Sequence, residues 1–184
     1  METSKKELNK SVKFISDSAA KIAESIMKVF KGKSEVVELI LTTLFAKGHV
    51  LLEDVPGTGK TVLAKSLAKS IDSTFSRIQS TPDLMPADVT GSSIFYPKTQ
   101  EFQFRSGPIM SSMVLVDELN IATPRTQSAL LEAMAEGQVS VDGNTYKLPE
   151  PFFLIATESP VEAEGTFPLA GAQKDRFMMA LSIG

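Results

Sequence analysis

Residues 48–61 read Gly48-His49-Val50-Leu51-Leu52-Glu53-Asp54-Val55-Pro56-Gly57-Thr58-Gly59-Lys60-Thr61. A short apolar run over His49 to Glu53 is followed by a glycine-rich turn, and residues 60 to 70 then read as a helix. From Asp54 the turn fits the phosphate-binding pattern G-x-x-x-x-G-K-[ST] at every fixed position but the first, where Asp stands in place of Gly. Asp tolerates left-handed backbone better than most residues, so the turn can survive that change. Glycines let successive amides point inward as an anion cradle, and the helix that follows aims its N-terminus at the same anion. Pro56, Gly57, Thr58, Gly59, Lys60, Thr61 and Val62 are therefore the candidate nucleotide-binding residues. Lys60 is expected to reach the β- and γ-phosphates, and the Thr61 hydroxyl to ligate Mg²⁺. The plain alternative is a Gly-Thr-Gly turn that leads into a helix and binds nothing.

Downstream, the same strand-then-helix alternation continues. Apolar runs recur at Thr74 to Gln79, Met113 to Val116, Phe152 to Ala156 and Phe177 to Leu181. With helices between them, such runs predict an α/β fold with a parallel sheet buried on both faces. Residues 124 to 136 form one of these helices, with Thr123 as N-cap, Pro124 at the first helical position and Gly137 just past the end. Two pieces break the alternation. Ser92 to Tyr96 with Glu101 to Arg105, and Gln138 to Val141 with Thr145 to Leu148, read as inserted β-hairpins around Pro97 and Asp142-Gly143-Asn144. The run Met113-Val114-Leu115-Val116-Asp117-Glu118 is a buried strand that ends in two acids. That is the pattern of a Walker B motif: Asp117 is expected to hold the Mg²⁺ shell and Glu118 to polarise an attacking water. An acidic turn without a metal is the alternative.

Upstream, Leu8, Val12, Ile15, Ala19, Ile22, Ile26 and Val29 recur at alternating steps of four and three, which predicts one long amphipathic helix within residues 1–34. Its apolar stripe is expected to pack on its own domain, the alternative being a coiled-coil or partner contact. Glu35 to Ala46 reads as a second helix. Residues 1–34 carry eight lysines against Glu2, Glu7, Asp17 and Glu24, a local +4; the remaining 11 basic and 18 acidic residues leave −7, for a net charge of −3. That balance does not support a generic nucleic-acid binder. The 184 residues suffice for one self-contained core, divided as an N-terminal helix (1–34) and an α/β core (35–184). Cys is absent and His49 is the single histidine, which excludes disulfides, thiolate nucleophiles and Cys/His zinc sites. His49, before a buried strand, is expected to be structural. No apolar run approaches the roughly 20 residues of a membrane span, and no signal-peptide core follows the start, so a soluble, cytoplasmic protein is expected.

The loop at 48–61 resembles the nucleotide loop of MoxR-type AAA+ ATPases. The similarity continues through Asp117-Glu118-Leu119-Asn120, Thr126-Gln127-Ser128-Ala129-Leu130-Leu131-Glu132-Ala133-Met134 and Glu136-Gly137-Gln138-Val139. Leu148 to Thr157 and Asp175-Arg176-Phe177 complete it. It covers roughly residues 30–184, and members of this family can carry Asp at the first loop position.

The resemblance implies a P-loop NTPase core with five parallel strands in the order 5-1-4-3-2, working as a ring, usually a hexamer, with nucleotide at the subunit boundary. It places Arg176 as the arginine finger that reaches a neighbour's γ-phosphate; an ion pair on a surface helix is the simpler role. Asn120 is placed to position Glu118 or the water. Ser159 stands at the sensor position, where Asn is usual, and offers one donor in place of two. Ile121 stands where Arg is common. The two hairpins match inserts that face a central pore or a partner, with structural decoration an equal alternative. Family members continue into a helical lid, whereas this chain stops at Leu181-Ser182-Ile183-Gly184, so slow hydrolysis is expected of it. The implied function is Mg²⁺-dependent ATP hydrolysis coupled to chaperone-like remodelling or maturation of a partner, typically beside a protein with a von Willebrand factor A domain. A nucleotide-gated binding module with little turnover and a DNA-directed motor are the alternatives.

Overall fold

The computed structural model describes residues 2–53, 57–158 and 165–184, with side chains from residue 10 onward. Its first half contains α1 (Glu2–Met27), α2 (Ser34–Phe45), β1 (Val50–Glu53), α3 (Lys60–Ser70) and β2 (Phe75–Gln79). A short helix α4 (Pro86–Thr90) leads into the hairpin β3 (Gly91–Tyr96) and β4 (Glu101–Ser106). Then come β5 (Met113–Asp117), α5 (Pro124–Glu136), the hairpin β6 (Gln138–Val141) and β7 (Asn144–Lys147), β8 (Phe153–Glu158), α6 (Gly171–Lys174) and β9 (Met179–Leu181).

The central sheet is β2-β5-β8-β1-β9, and each of its pairings is parallel. Numbering only these five strands along the chain gives the expected order 5-1-4-3-2. Alternation along each strand divides the core in two. Val50, Leu52, Met113, Leu115, Phe153 and Ile155 pack toward α1, α2 and α3. Leu51, Val114, Val116, Leu154 and Ala156 pack toward α5 with Val89 of α4. β5 and β8 are buried along their whole length, whereas β2, at the edge, buries only Ile78 fully.

Helix α5 spans the expected residues. Thr123 Oγ1 accepts from the Thr126 amide at its start, and Gly137 closes it in left-handed conformation (φ 62°). Both hairpins form as separate two-stranded sheets outside the main one. They touch through a stack of Phe104 on Tyr146, with ring centroids 3.8 Å apart. The first hairpin closes on two glycines. Gly91 has φ 98°, and a Cβ there would lie 2.3 Å from the Arg105 carbonyl oxygen.

Two expectations need correction. The apolar stripe of α1 packs only near its C-terminal end, where Ile26 is fully buried and Ile22, Ala23 and Met27 lie against the core. Val12 and Ile15 are more than half exposed, and so is Val29 beyond the helix, while Phe30 is buried in its stead. The reason is length: 26 residues rise about 39 Å, roughly twice the span of α2 or α3 beneath them. The last strand also begins later than expected. Phe177 is a buried turn residue after α6, its amide bonded to the Lys174 carbonyl, and β9 starts only at Met179.

Candidate functional site

The parallel strands end together at one edge of the sheet, and α3 starts there. Gly59, at φ 90°, is the N-cap of α3; it has no side chain with which to cap the first-turn amides. Those amides and the positive end of the helix therefore face the space above β1 and β5. That space is a cavity of about 330 Å³ lined by Gly57, Gly59, Lys60, Thr61 and Val62 from the loop and α3, with Asp117, Glu118 and Thr157 from the ends of β5 and β8. A Cβ built on Gly57 would meet nothing within 4 Å, so open space adjoins the loop here. Sequence positions about 60, 117 and 157 thus meet at one place.

The two acids are held differently. Asp117 is buried at the end of β5, and Arg77 Nε donates to its Oδ2 at 2.5 Å. Glu118 leaves the strand in left-handed conformation (φ 56°, ψ 51°), an uncommon geometry for a non-glycine residue and one that accumulates at functional sites. Its amide donates to Thr157 Oγ1 at 2.8 Å, and its Oε2 accepts from Gln79 Nε2 at 2.9 Å. The following turn is secured from beneath by the buried amide of Gln127, which donates to the carbonyls of Leu119, Ala122 and Phe167.

Other expected site residues lie elsewhere. Thr58 lines a second recess of about 320 Å³ that shares Gly57, Gly59 and Val62 with the first and is walled by Val29, Phe30 and Ile183. Asn120 is buried below the turn, its carbonyl accepting from the Phe167 amide at 2.6 Å, and is not among the cavity-lining residues. Arg176 is exposed just after α6, does not line the cavity of its own chain, and makes no ion pair among the described residues. Pro56 and Ser159, like Asp54, lie outside the described residues.

Sequence reasoning missed five charged or polar residues at this edge of the sheet. Arg77 and Gln79 line the cavity from β2; the available signal was an arginine inside a run otherwise fit for a buried strand. On the opposite face of the sheet Lys174 Nζ lies 2.9 Å from both Glu53 and Glu158, which are register partners at the ends of β1 and β8. These contacts raise the Lys174 pKa, the Glu158 contact most and the Glu53 contact next.

The donor set suits a magnesium–nucleotide complex. An oxygen from Thr61 and a buried carboxylate from Asp117 match a hard cation, and the Arg77 guanidinium already supplies positive charge at that carboxylate.

The profile of the ATPase family associated with various cellular activities (AAA) matches residues 49–179. The chain is a MoxR-type AAA+ ATPase family member. Among its relatives, it is 44% identical over 159 residues to Chaperone MoxR1 of Mycobacterium tuberculosis, covering 86% of this chain and 42% of that one. It is 58% identical over 164 residues to the uncharacterized protein YeaC of Bacillus subtilis, covering 89% of this chain and 51% of the relative. A solved structure from Cytophaga hutchinsonii, assigned as an ATPase, superposes with a TM-score of 0.83 at 40% identity, over 97% of this chain and 55% of that one. The chain thus spans about half the length of the curated relatives it matches. The cavity is lined by residues of both the glycine-rich loop motif and the acid-ended strand motif. Among the described residues, no helix is long and apolar enough to cross a membrane.

Proposed function

We propose that this MoxR-type chain binds ATP with Mg²⁺ in the cavity above β1 and β5 and hydrolyses it, as the motor of a cytoplasmic, chaperone-like ring. The observation that carries this reading is the convergence of the glycine-lined loop, Lys60 and Thr61 with the acid pair Asp117 and Glu118 around one cavity. The phosphates are received by the N-terminus of α3 and by Lys60, and the base by the apolar recess walled by Val29, Phe30, Ile183 and Val62. Thr61 and Asp117 would hold Mg²⁺, which when bound neutralises phosphate charge. Glu118, its backbone fixed by Thr157 and its carboxylate steadied by Gln79, orients the water and takes its proton.

Arg176 acts on a neighbouring subunit's nucleotide. Its exposed position, outside the lining of its own cavity, supports that assignment and with it a ring, by family likeness a hexamer. The name Chaperone MoxR1 supports remodelling of a client protein, and a von Willebrand factor A domain protein is the partner the family likeness favours. Pro56 and Ser159, both outside the described residues, are assigned to the nucleotide loop and the sensor position by family likeness.

The test is ATP turnover by the full-length protein, with Lys60→Ala and Glu118→Gln, in the presence and absence of candidate client protein and of DNA. Turnover lost in both variants and stimulated by protein supports the reading. Wild-type binding without turnover refutes hydrolysis, and salt-sensitive stimulation by DNA alone refutes the chaperone assignment. Mixing Arg176→Ala with Lys60→Ala subunits tests the finger: no recovered turnover in mixed rings removes it.

A further inference from the structure

The cavity wall carries a cation that no nucleotide motif supplies. β2 pairs with β5 so that Gln79 is the register partner of Asp117, and Arg77, two residues earlier, faces the same side of the sheet. Arg77 Nε donates to Asp117 Oδ2 at 2.5 Å, and its Nη2 to Gln79 Oε1 at 3.0 Å. The Asp117 side chain is only 10% exposed, while that of Arg77 is 48% exposed. A carboxylate so buried requires a counter-charge, whereas a guanidinium half in water can leave with little loss of solvation.

We infer that Arg77 is the resident counter-cation of Asp117 in the nucleotide-free protein, so that a divalent cation wins Asp117 only when it arrives with a nucleotide. This rests on the proposed reading of Asp117 as a metal-holding residue. A guanidinium and a hydrated divalent ion compete for the same carboxylate oxygens, and their like charges repel at that range. Phosphates entering beside them offer the displaced guanidinium an anionic partner. Arg77 is thus a positioning residue that makes metal binding conditional on nucleotide.

The experiment is a titration of the nucleotide-free, full-length protein with Mn²⁺, reading free Mn²⁺ by electron paramagnetic resonance. Arg77→Met is expected to bind one Mn²⁺ about tenfold or more tightly than wild type, since one like charge is removed at contact range. Arg77→Lys and wild type are expected to stay weak, and Arg77→Met with Asp117→Asn to lose the gain. The inference is overturned if Arg77→Met and Arg77→Gln both bind Mn²⁺ no better than wild type, or if the gain survives Asp117→Asn. Binding of a fluorescent ATP analogue with Mg²⁺ is measured on the same samples. Failure of wild type to bind it overturns the reading of the site, whereas normal binding with no Mn²⁺ gain in either neutral variant overturns only the role of Arg77.

Discussion

Replacing His49 should change how stability depends on pH. The ring is 6% exposed at the entrance to β1, where Phe152 meets it edge-on at 5.5 Å and Phe153 lies at 6.4 Å. The Leu154 amide donates to Nδ1 at 3.0 Å, and Nε2 lies 3.3 Å from the Met134 carbonyl oxygen. Only a neutral ring with its proton on Nε2 satisfies both contacts, because a proton on Nδ1 would point at the Leu154 N–H. Burial accordingly pushes the His49 pKa below its ordinary 6.5, against a smaller upward pull from the Met134 carbonyl. Lys47 and Glu150 line the groove beside the ring.

The sign follows from proton counting. With the folded pKa below 6.5, the unfolded chain takes up the proton first, so the His49 contribution is complete above that pH and declines as pH falls beneath it. The decline is about 1.4 kcal/mol per pH unit while the folded ring stays neutral. His49→Leu removes the acceptor of a buried amide, which should cost about 1–3 kcal/mol at pH 8. In a chain of this size that lowers Tm by about 2–4 °C per kcal/mol. The variant has no ring to charge, so urea midpoints of the two proteins, at constant m, should converge as the pH falls below 6.5. Parallel loss of stability below that pH would refute the reasoning, since carboxylates common to both proteins would then account for the whole acid limb.

Three further outcomes are expected. Lys174→Met should lower Tm by leaving Glu158 facing Glu53 without their shared cation, and Glu158→Gln in the same chain should recover much of the loss; because the Lys174 pKa is raised, its stabilising contribution is complete below pH 10.5 and is lost as pH climbs through the raised value. Gly91→Ala, which combines φ 98° with contacts to backbone atoms, should destabilise by at least about 1–3 kcal/mol and strip hydrogen-exchange protection from β3 and β4 first. Ile26→Ala should cost about 2–5 kcal/mol in urea unfolding, while Val12→Ala, on the same predicted stripe, should stay within about 0.5 kcal/mol of wild type.

That contrast marks where local pattern stops being informative. Periodicity reports which face of a helix is apolar but not how far a neighbour extends to cover it, so Val12 and Ile26 were equivalent in sequence and differ completely in burial. The helix over residues 124–136 was readable to the residue because Thr123, Pro124 and Gly137 act within one turn of their own positions. Lys60, Thr61, Asp117 and Glu118 were readable for a related reason: each lies in a contiguous motif whose chemistry depends on adjacent residues. Their neighbours were not. Arg77 is 40 residues from Asp117, and Lys174 is 121 from Glu53; the first pair arises from β2 meeting β5 in register and the second from α6 reaching the ends of β1 and β8, both at the carboxyl edge of the sheet. The acids of the site were thus legible while their counter-charges were not, and the asymmetry has a physical cause. An acid at a strand end is placed by its own strand, whereas the cation that balances it need only come within a side chain's length, and any element that reaches the same edge can supply it.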